Sequence, residues 1–434
     1  MPAGSDRREA ARPGRPPEPR HYLFALTDGG GTVPPEVGVV RRLADRGHRV
    51  RVLAETSMEK AVRAVGAEFV PWRPEPAPHG DVPGHAAYRD WETRSPWKLA
   101  RGMADHMIAG PARGHARRLL AVIGPERPDV VVTSFVAFGA MAAAEAADLP
   151  FHVLVPNIYP IPVTGLPPMG TGWKPARTGL GRARARVAGD ASTRMLGRYA
   201  LPRLNEVRTE LGTPPLRVLW DQVHRARRQL LLTSASFDFP AHPPSAVRYV
   251  GPVLDDPVWA RAAEWRVPDG DGPLVLVALS STYQGQQRCV QNVVDALARL
   301  RVRGLVTTGP GLDPHELRGG GHVEIVRSAP HGEVIDRADL VITHGGHGTV
   351  MKALVAGRPM VVLPHGRDQP GNAVRVAARG AGVVVRRTAS PGTIARAVRK
   401  VLDTPAYADA AGRLGHRIRT EVEHSPLIDE LESG

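Results

Sequence analysis

The stretch DLVITHGGHGTVMKALVAGRPMVVLPHGRDQPGNAVRVAARGAGVVV, residues 339–385, decides the fold. Leu340-Val341-Ile342-Thr343 reads as a buried strand, because apolar and β-branched residues follow one another without a break. His344-Gly345-Gly346-His347-Gly348-Thr349 is a glycine-rich turn. A helix follows from Val350 to about Ala356, stopped by Gly357, and Met360-Val361-Val362-Leu363 is a second strand. Strand, glycine-rich turn, helix and strand make half of a doubly wound α/β sheet. Such a turn at a helix start leaves several backbone N–H groups pointing outward, and the helix dipole adds positive potential there. Phosphate oxygens suit that place. A histidine at the mouth of the turn can donate one more hydrogen bond to a diphosphate.

The same alternation extends on both sides. Upstream, Pro273 to Leu279 opens this second sheet, followed by Ser280-Ser281-Thr282, a helix over 287–300 and a strand over 304–308. Downstream, residues 388–422 carry two helical patterns. In the first half, His21 to Thr27 is a short apolar strand entering the loop Asp28-Gly29-Gly30-Gly31-Thr32-Val33-Pro34-Pro35. The helix EVGVVRRLADRG follows, with Val37, Val40, Leu43 and Ala44 on one face, then the strand Arg49 to Leu53. The third glycine of G-x-G-x-x-G is replaced by Pro34, which argues against a dinucleotide site. Residues 72–98, rich in Pro, His and Trp, read as a loop. Residues 99–123 read as helical, 130–133 as a strand, 137–147 as a helix and 151–155 as a strand. The Pro/Gly-rich run from Pro156 to Pro175 is too long for a simple connection and points to a functional loop. A basic stretch, 177–211, reads as a helix from about Arg182. Gln229 to Thr233 begins the last strand of the first half, and the polar, turn-rich residues 254–272 read as a linker.

At 434 residues the chain can hold two ordinary domains. One cysteine, Cys289, excludes an intramolecular disulfide framework and suggests a reducing compartment, hence the cytoplasm. No apolar run is long enough for a membrane span. Residues 1–19 lack the apolar core of a secretory signal and read as a disordered tail. The formal net charge of +14 is spread along the whole chain rather than gathered in one face. That argues against nucleic acid; it fits a coding bias, attraction for an anionic donor, or weak contact with a membrane surface.

The pattern His344-Gly345-Gly346-x-Gly348-Thr349, Ala353-Leu354, Gly357-x-Pro359, Pro364, Asp368-Gln369, Asn372-Ala373-x-Arg375-Val376 and Gly380-x-Gly382 resembles the donor-binding motif of the family 1, GT-B glycosyltransferases. It is most similar to the bacterial branch that decorates natural products. The resemblance implies two Rossmann-like doubly wound domains facing across an interdomain cleft. Residues 20–253 would bind the acceptor, 254–272 link the halves, 273–404 bind the nucleotide sugar, and 405–434 end in a helix packing back on the first domain. It also implies transfer of a sugar, with inversion, from a UDP- or dTDP-sugar to a hydrophobic small molecule. His344, the backbone around Gly345, Gly346 and Gly348, and Thr349 would hold the diphosphate, with Ser281 as a second contact and His331 at the end of the base-framing segment 326–331. Asp368 and Gln369 would meet sugar hydroxyls, unless they only cap a helix. These donors would replace a cation, so no metal and no cofactor are expected. A homodimer is left open.

Three positions depart from the family. Its first loop carries a histidine base where this chain has Thr32, and an aspartate orients that base where this chain has Ser134. A Thr hydroxyl is no base near neutral pH. Asp28, in the same loop, is the substitute base the resemblance leaves, or else it caps its own turn; an acceptor that is already nucleophilic is a further escape. His79, His106 and His152 have no spacing that favours them. Lys352 stands where plant relatives carry a ribose-reading Glu, and Lys cannot accept a hydrogen bond. It points to a 2′-deoxyribose donor, or is simply an exposed helical lysine. The alternatives to a small-molecule enzyme are a lipid or sterol glycosyltransferase at a membrane surface, and a non-catalytic sugar-nucleotide-binding protein.

Overall fold

The computed structural model describes residues 18–433 apart from 74–87, 89, 94, 262–263 and 280–283. Most of the tail, most of the 72–98 loop including His79, and Ser281 therefore lie outside the described residues. Two parallel sheets organise the rest. The first contains β1 (His21–Ala25), β2 (Arg49–Ala54), β3 (Glu68–Pro71), β4 (Val130–Ser134), β5 (Phe151–Val155), β6 (Arg228–Leu231) and β7 (Val247–Tyr249), in the order β3-β2-β1-β4-β5-β6-β7. The second contains β8 (Leu274–Ala278), β9 (Arg303–Thr307), β10 (Val323–Val326), β11 (Leu340–Thr343), β12 (Met360–Val362) and β13 (Gly382–Val384), in the order β10-β9-β8-β11-β12-β13. Helices cover both faces of each sheet, which is why the central strands are apolar at nearly every position. In β1, Tyr22 and Phe24 join one core while Leu23 and Ala25 join the other.

Strand order reverses between β1 and β4 in the first sheet and between β8 and β11 in the second. At such a switch point the connections leave to opposite faces, and a crevice opens beyond the carboxyl ends of the strands. Asp28 follows β1 and Ser134 ends β4; His344 follows β11.

Three expectations are adjusted. The first sheet has two closing strands, β6 and β7, where one was read; a three-residue strand gives no periodicity to detect. The donor helix runs His347–Val355, so it starts three residues earlier than Val350 and takes His347, Gly348 and Thr349 into its first turn. The chain ends in three helices, Pro391–Leu402, Pro405–Glu423 and Leu427–Glu432. The last one returns to the first half. Leu427 and Leu431 enter the core behind β1, Glu430 meets Arg228 and Arg248, and Glu432 meets Arg46 and His48.

The two halves are tied by charged pairs. Arg375 and Asp238 form a pair with both side chains almost fully buried, at 2.6 Å, and the Tyr249 hydroxyl donates to the second Asp238 oxygen. Arg367 grips Asp90 through two nitrogens, at 2.7 and 2.9 Å. Asp255 accepts from Arg41 and Arg42 of the helix Val33–Asp45. Its neighbour Asp256 pairs with Lys352 and accepts from the Gly332 amide.

Candidate active site

Beyond β11 the backbone must reverse sharply. Gly345 has φ +92°, and a Cβ there would meet Val362 at 3.0 Å and the Gln369 carbonyl at 3.2 Å. A Cβ on Gly346 would lie 2.6 Å from Nε2 of His344. Both glycines are thus needed to fold the turn around the His344 ring. The first bond of the donor helix runs from the Val350 amide to the Gly346 carbonyl, so the amides of His347, Gly348 and Thr349 precede the helical ladder. The His347 amide leans on the Asp368 carboxylate. Gly348 differs from its neighbours: a Cβ there would meet nothing within 4 Å. The protein's own packing does not require glycine at 348. The space beside the Gly348 Cα, at the first turn of the helix, is open.

The rings around this opening are neutral. Burial, with His365 and Arg367 nearby, pushes the His344 pKa down to about 3, and its Nδ1 has no partner among the described residues. Burial likewise lowers His347 to about 4. His331 is also held at about 4, by burial and then the Lys352 charge. The Thr307 hydroxyl donates to the Val277 carbonyl, so its oxygen accepts from His331 Nε2 at 2.9 Å. A neutral imidazole has one N–H to donate; the His344 ring is in hydrogen-bond contact with the Ala278 carbonyl, so donating to an anion would ask it to exchange that partner.

Asp368 and Gln369 stand at the start of the helix Gln369–Ala378, on the same side as the turn. Gln369 is held by protein: its Oε1 accepts from the amides of His365 and Gly366, and one hydrogen of its Nε2 is donated to Gln284 at 3.0 Å, leaving the second. Asp368 accepts from Asn372 Nδ2 at 2.7 Å, and burial raises its pKa to about 6. Asn372 also donates to the Gly345 carbonyl at 2.9 Å, which staples the glycine turn to this loop. Neither that staple nor Gln284 was assigned a role from sequence, because each works through a partner far along the chain. The long loop after β5 lies against the same region: Ile158 joins the donor-side core, and a Cβ on Gly172 would sit 3.2 Å from Pro370.

Lys352 is not an exposed helical lysine. Its side chain is 12% exposed and its ammonium donates to the Asp255 carbonyl and the Asp256 carboxylate. It ties the linker to the donor helix. Asp269-Gly270-Asp271 is an Asp-x-Asp spelling, the kind used for metals. It lies beside Arg303 at the start of β9, the opposite end of the sheet from His344.

On the facing half, Thr32 is the cap residue of the helix Val33–Asp45, half-buried, and its hydroxyl makes no capping bond. Asp28 serves its own turn. Oδ1 accepts from the Gly30 amide at 2.9 Å and Oδ2 accepts from the Ser57 hydroxyl at 2.6 Å, which leaves a second lone pair on each oxygen. The Asp28 amide donates to Glu55. Ser134 Oγ accepts from the Thr27 amide at 3.1 Å, bridging the tips of β1 and β4. His106 stacks on Tyr88 at the surface, and His152 is buried inside β5 with its pKa lowered to about 4 by burial.

Glu36 was passed over in the sequence. It is 1% exposed, its carboxyl is in hydrogen-bond contact with Ser134, and its Oε2 has no partner among the described residues. Burial, reinforced by Glu55 and Asp28, pushes its pKa up to about 8. The signal was present: positions 36, 40 and 43 lie on one face of a helix, and Val40 and Leu43 are apolar.

Comparison with known proteins places this architecture. Residues 306–432 match the family model described as the erythromycin biosynthesis protein CIII-like C-terminal domain. The 4'-demethylrebeccamycin synthase of Lentzea aerocolonigenes is 31% identical over 405 residues, 90% of this chain and 94% of the relative. Among solved structures, the glycotransferase of kitacinnamycin superposes with a TM-score of 0.74 at 25% identity, covering 95% of this chain and 99% of that one. The spinosyn rhamnosyltransferase SpnG complexed with thymidine diphosphate has a TM-score of 0.64 at 19% identity, covering 95% and 100%, a likeness of fold. An identity of 31% sustained across nearly the full length of both chains, with the two-sheet architecture, leaves one assignment: this chain belongs to the family 1, GT-B glycosyltransferases, in the bacterial branch that decorates natural products.

Proposed function

We propose that the protein moves a sugar, with inversion and without a metal ion, from a dTDP-sugar to a hydrophobic small molecule in the cytoplasm. The observation that carries the donor half of this reading is the open space beside Gly348 in the first turn of the donor helix, where glycine has no packing reason to be. A diphosphate seated there would meet two backbone donors, the Thr349 hydroxyl and the neutral His344 ring. Preorganised donors of this kind stabilise the charge that grows on a diphosphate leaving group, which is the service a divalent cation gives elsewhere. Residues 273–404 would bind the donor and residues 20–253 the acceptor, with 254–272 between them and 405–434 returning. Ser281 would add a phosphate contact, and Asp368 and the second Nε2 hydrogen of Gln369 would meet sugar hydroxyls.

Two observations favour dTDP over UDP. Lys352 is consumed by Asp256, so the position offers no acceptor for a ribose 2′-hydroxyl. The spinosyn enzyme of like fold binds thymidine diphosphate. Mass spectrometry of reactions pairing dTDP-glucose and UDP-glucose with phenolic, polyketide and indole acceptors, with and without EDTA, tests the reading. A hexose adduct formed from dTDP-glucose and unaffected by EDTA is expected. No adduct with any acceptor, in a protein that still binds dTDP, would favour a non-catalytic binder, the reading that Thr32 and Ser134 at the family's base positions keep in play. A product only with lipid or sterol acceptors would favour the membrane-surface reading, which draws on the exposed Arg184, Arg194 and Arg198 of the helix Gly179–Glu210.

A further inference from the structure

The transfer needs a group to take the acceptor's proton, and neither Thr32 nor Ser134 can keep one. We propose that Glu36 is the terminal proton acceptor, held by Ser134 and reached from the cleft through the Thr32 hydroxyl. This rests on the reading of the protein as a transferase.

The argument is one of placement. Glu36 lies in the first turn of its helix, at the switch point between β1 and β4, where a doubly wound sheet opens its crevice. Its amide donates to the Thr32 carbonyl at 3.2 Å, so the two residues stand one turn apart on the same face. Side chains on a helix lean toward its N-terminus, so the Glu36 carboxyl leans toward Thr32 and the cleft. Ser134 takes a hydrogen bond from the Thr27 amide, which leaves its own proton to give to Glu36 and fixes the carboxyl between the tips of two strands. The second oxygen, Oε2, is buried and unpartnered among the described residues. A buried acceptor without a donor is costly, and such a cost persists where the group has a use. Among the described residues, the charged groups that act on Glu36 are Asp28, after β1, and Glu55, after β2, both acidic, so it holds its proton until an acceptor's proton has to be taken at higher pH.

The step balances without any further reactant. The acceptor oxygen forms its bond to the anomeric carbon as the bond from that carbon to the diphosphate breaks, and the diphosphate leaves with the electron pair. The acceptor's proton passes to Thr32 Oγ while the Thr32 proton passes to Glu36 Oε2; among the described residues the structure places no donor within hydrogen-bond reach of that oxygen, so the Thr32 hydroxyl must turn toward it when the acceptor binds. Glu36 releases it to solvent after the product has gone. Because burial and the two neighbouring carboxylates raise Glu36 to about 8, the accepting form grows as pH rises through that value.

The test compares wild type, Glu36→Gln and Asp28→Asn with dTDP-glucose and two acceptors: an aliphatic alcohol, and 4-nitrophenol, which is largely ionised at pH 8 and needs no base. For Glu36→Gln, kcat with the alcohol should fall about 10²–10⁴-fold, the usual worth of a general base. Turnover with nitrophenolate should be retained, dTDP affinity by calorimetry should be unchanged, and the rise in kcat toward pH 8 should vanish. Glutamine keeps the shape and the Ser134 contact, so folding is preserved. An infrared difference spectrum should also show the wild type's protonated carboxyl band missing from the variant. Equal losses with both acceptors, an unchanged pH profile, or a loss confined to Asp28→Asn would overturn the proposal. Where the wild type transfers to neither acceptor, the transferase reading fails first, and hydrolysis of dTDP-glucose by water gives the same comparison for Glu36.

Discussion

Replacing Gly348 by alanine separates what the fold requires from what the ligand requires. The backbone at 348 is not left-handed, and an added methyl would meet no protein atom within 4 Å. Alanine exceeds glycine in helix propensity by up to about 1 kcal/mol. For a unit the size of the donor half, that raises the melting temperature by about 2–4 °C. The same methyl would project into the open space beside the first turn, where the proposed diphosphate is seated. Loss of one hydrogen bond to a charged phosphate costs about 1.5–3 kcal/mol, which weakens binding about 10- to 150-fold. Thermal melts without ligand and calorimetry with dTDP measure the two effects separately. A variant that is at least as stable as the wild type yet binds dTDP far less tightly is the expected result. Undiminished affinity would show that the diphosphate does not sit on this helix, and the donor-site argument would fall with it.

Other consequences concern the frame. Asp238→Asn leaves Arg375 with a buried, uncompensated charge, so urea unfolding should show a loss of about 3–5 kcal/mol; a loss near zero would mean that the pair does not clamp the halves. Lys352→Met should lower the melting temperature by freeing Asp256 in the linker while leaving the preference between dTDP and UDP unchanged; a shifted preference would make Lys352 a nucleotide reader after all. Stability should also depend on pH from two sides. His115, His152, His331 and His347, held at about 4, and His344, at about 3, refuse protons that the unfolded chain accepts below its ordinary value of 6.5. Their contribution is complete above that value and is lost as pH falls through it toward 4. Asp368, raised to about 6, and Glu36, raised to about 8, act with the opposite sign: their contribution is complete at acid pH and is lost as pH rises through those values. Thermal melts from pH 4 to 9 should therefore peak near neutrality, with the alkaline decline reduced in Glu36→Gln; a melting temperature flat from pH 6.5 to 4 would refute the neutral-histidine assignment.

What could be read from the sequence follows the range of the interaction involved. The turn from His344 to Thr349 depends on backbone geometry within six residues, and Gly345 and Gly346 stand where the bend admits no Cβ. The unbroken apolar strands announce burial on both faces for the same local reason. β7 escaped because three residues carry no period. The exposed alternative for Lys352 fails because its partner, Asp256, lies in a linker whose path no local pattern fixes. Glu36 is the instructive case. Helical periodicity put it on the buried face with Val40 and Leu43, so its burial was legible. A glutamate in the first turn of a helix is also ordinary, since it complements the helix dipole, and that local account hid the conflict. Only Ser134, the residue at which β4 reaches the same crevice, distinguishes a helix-favouring glutamate from an acid stationed at the switch point. Thr32 and Ser134, at the family's base and orienting positions, then bracket a buried acid one helical turn further in, and the Ser134 hydroxyl gives that acid a donor where a carboxylate would add a further like charge beside Asp28 and Glu55.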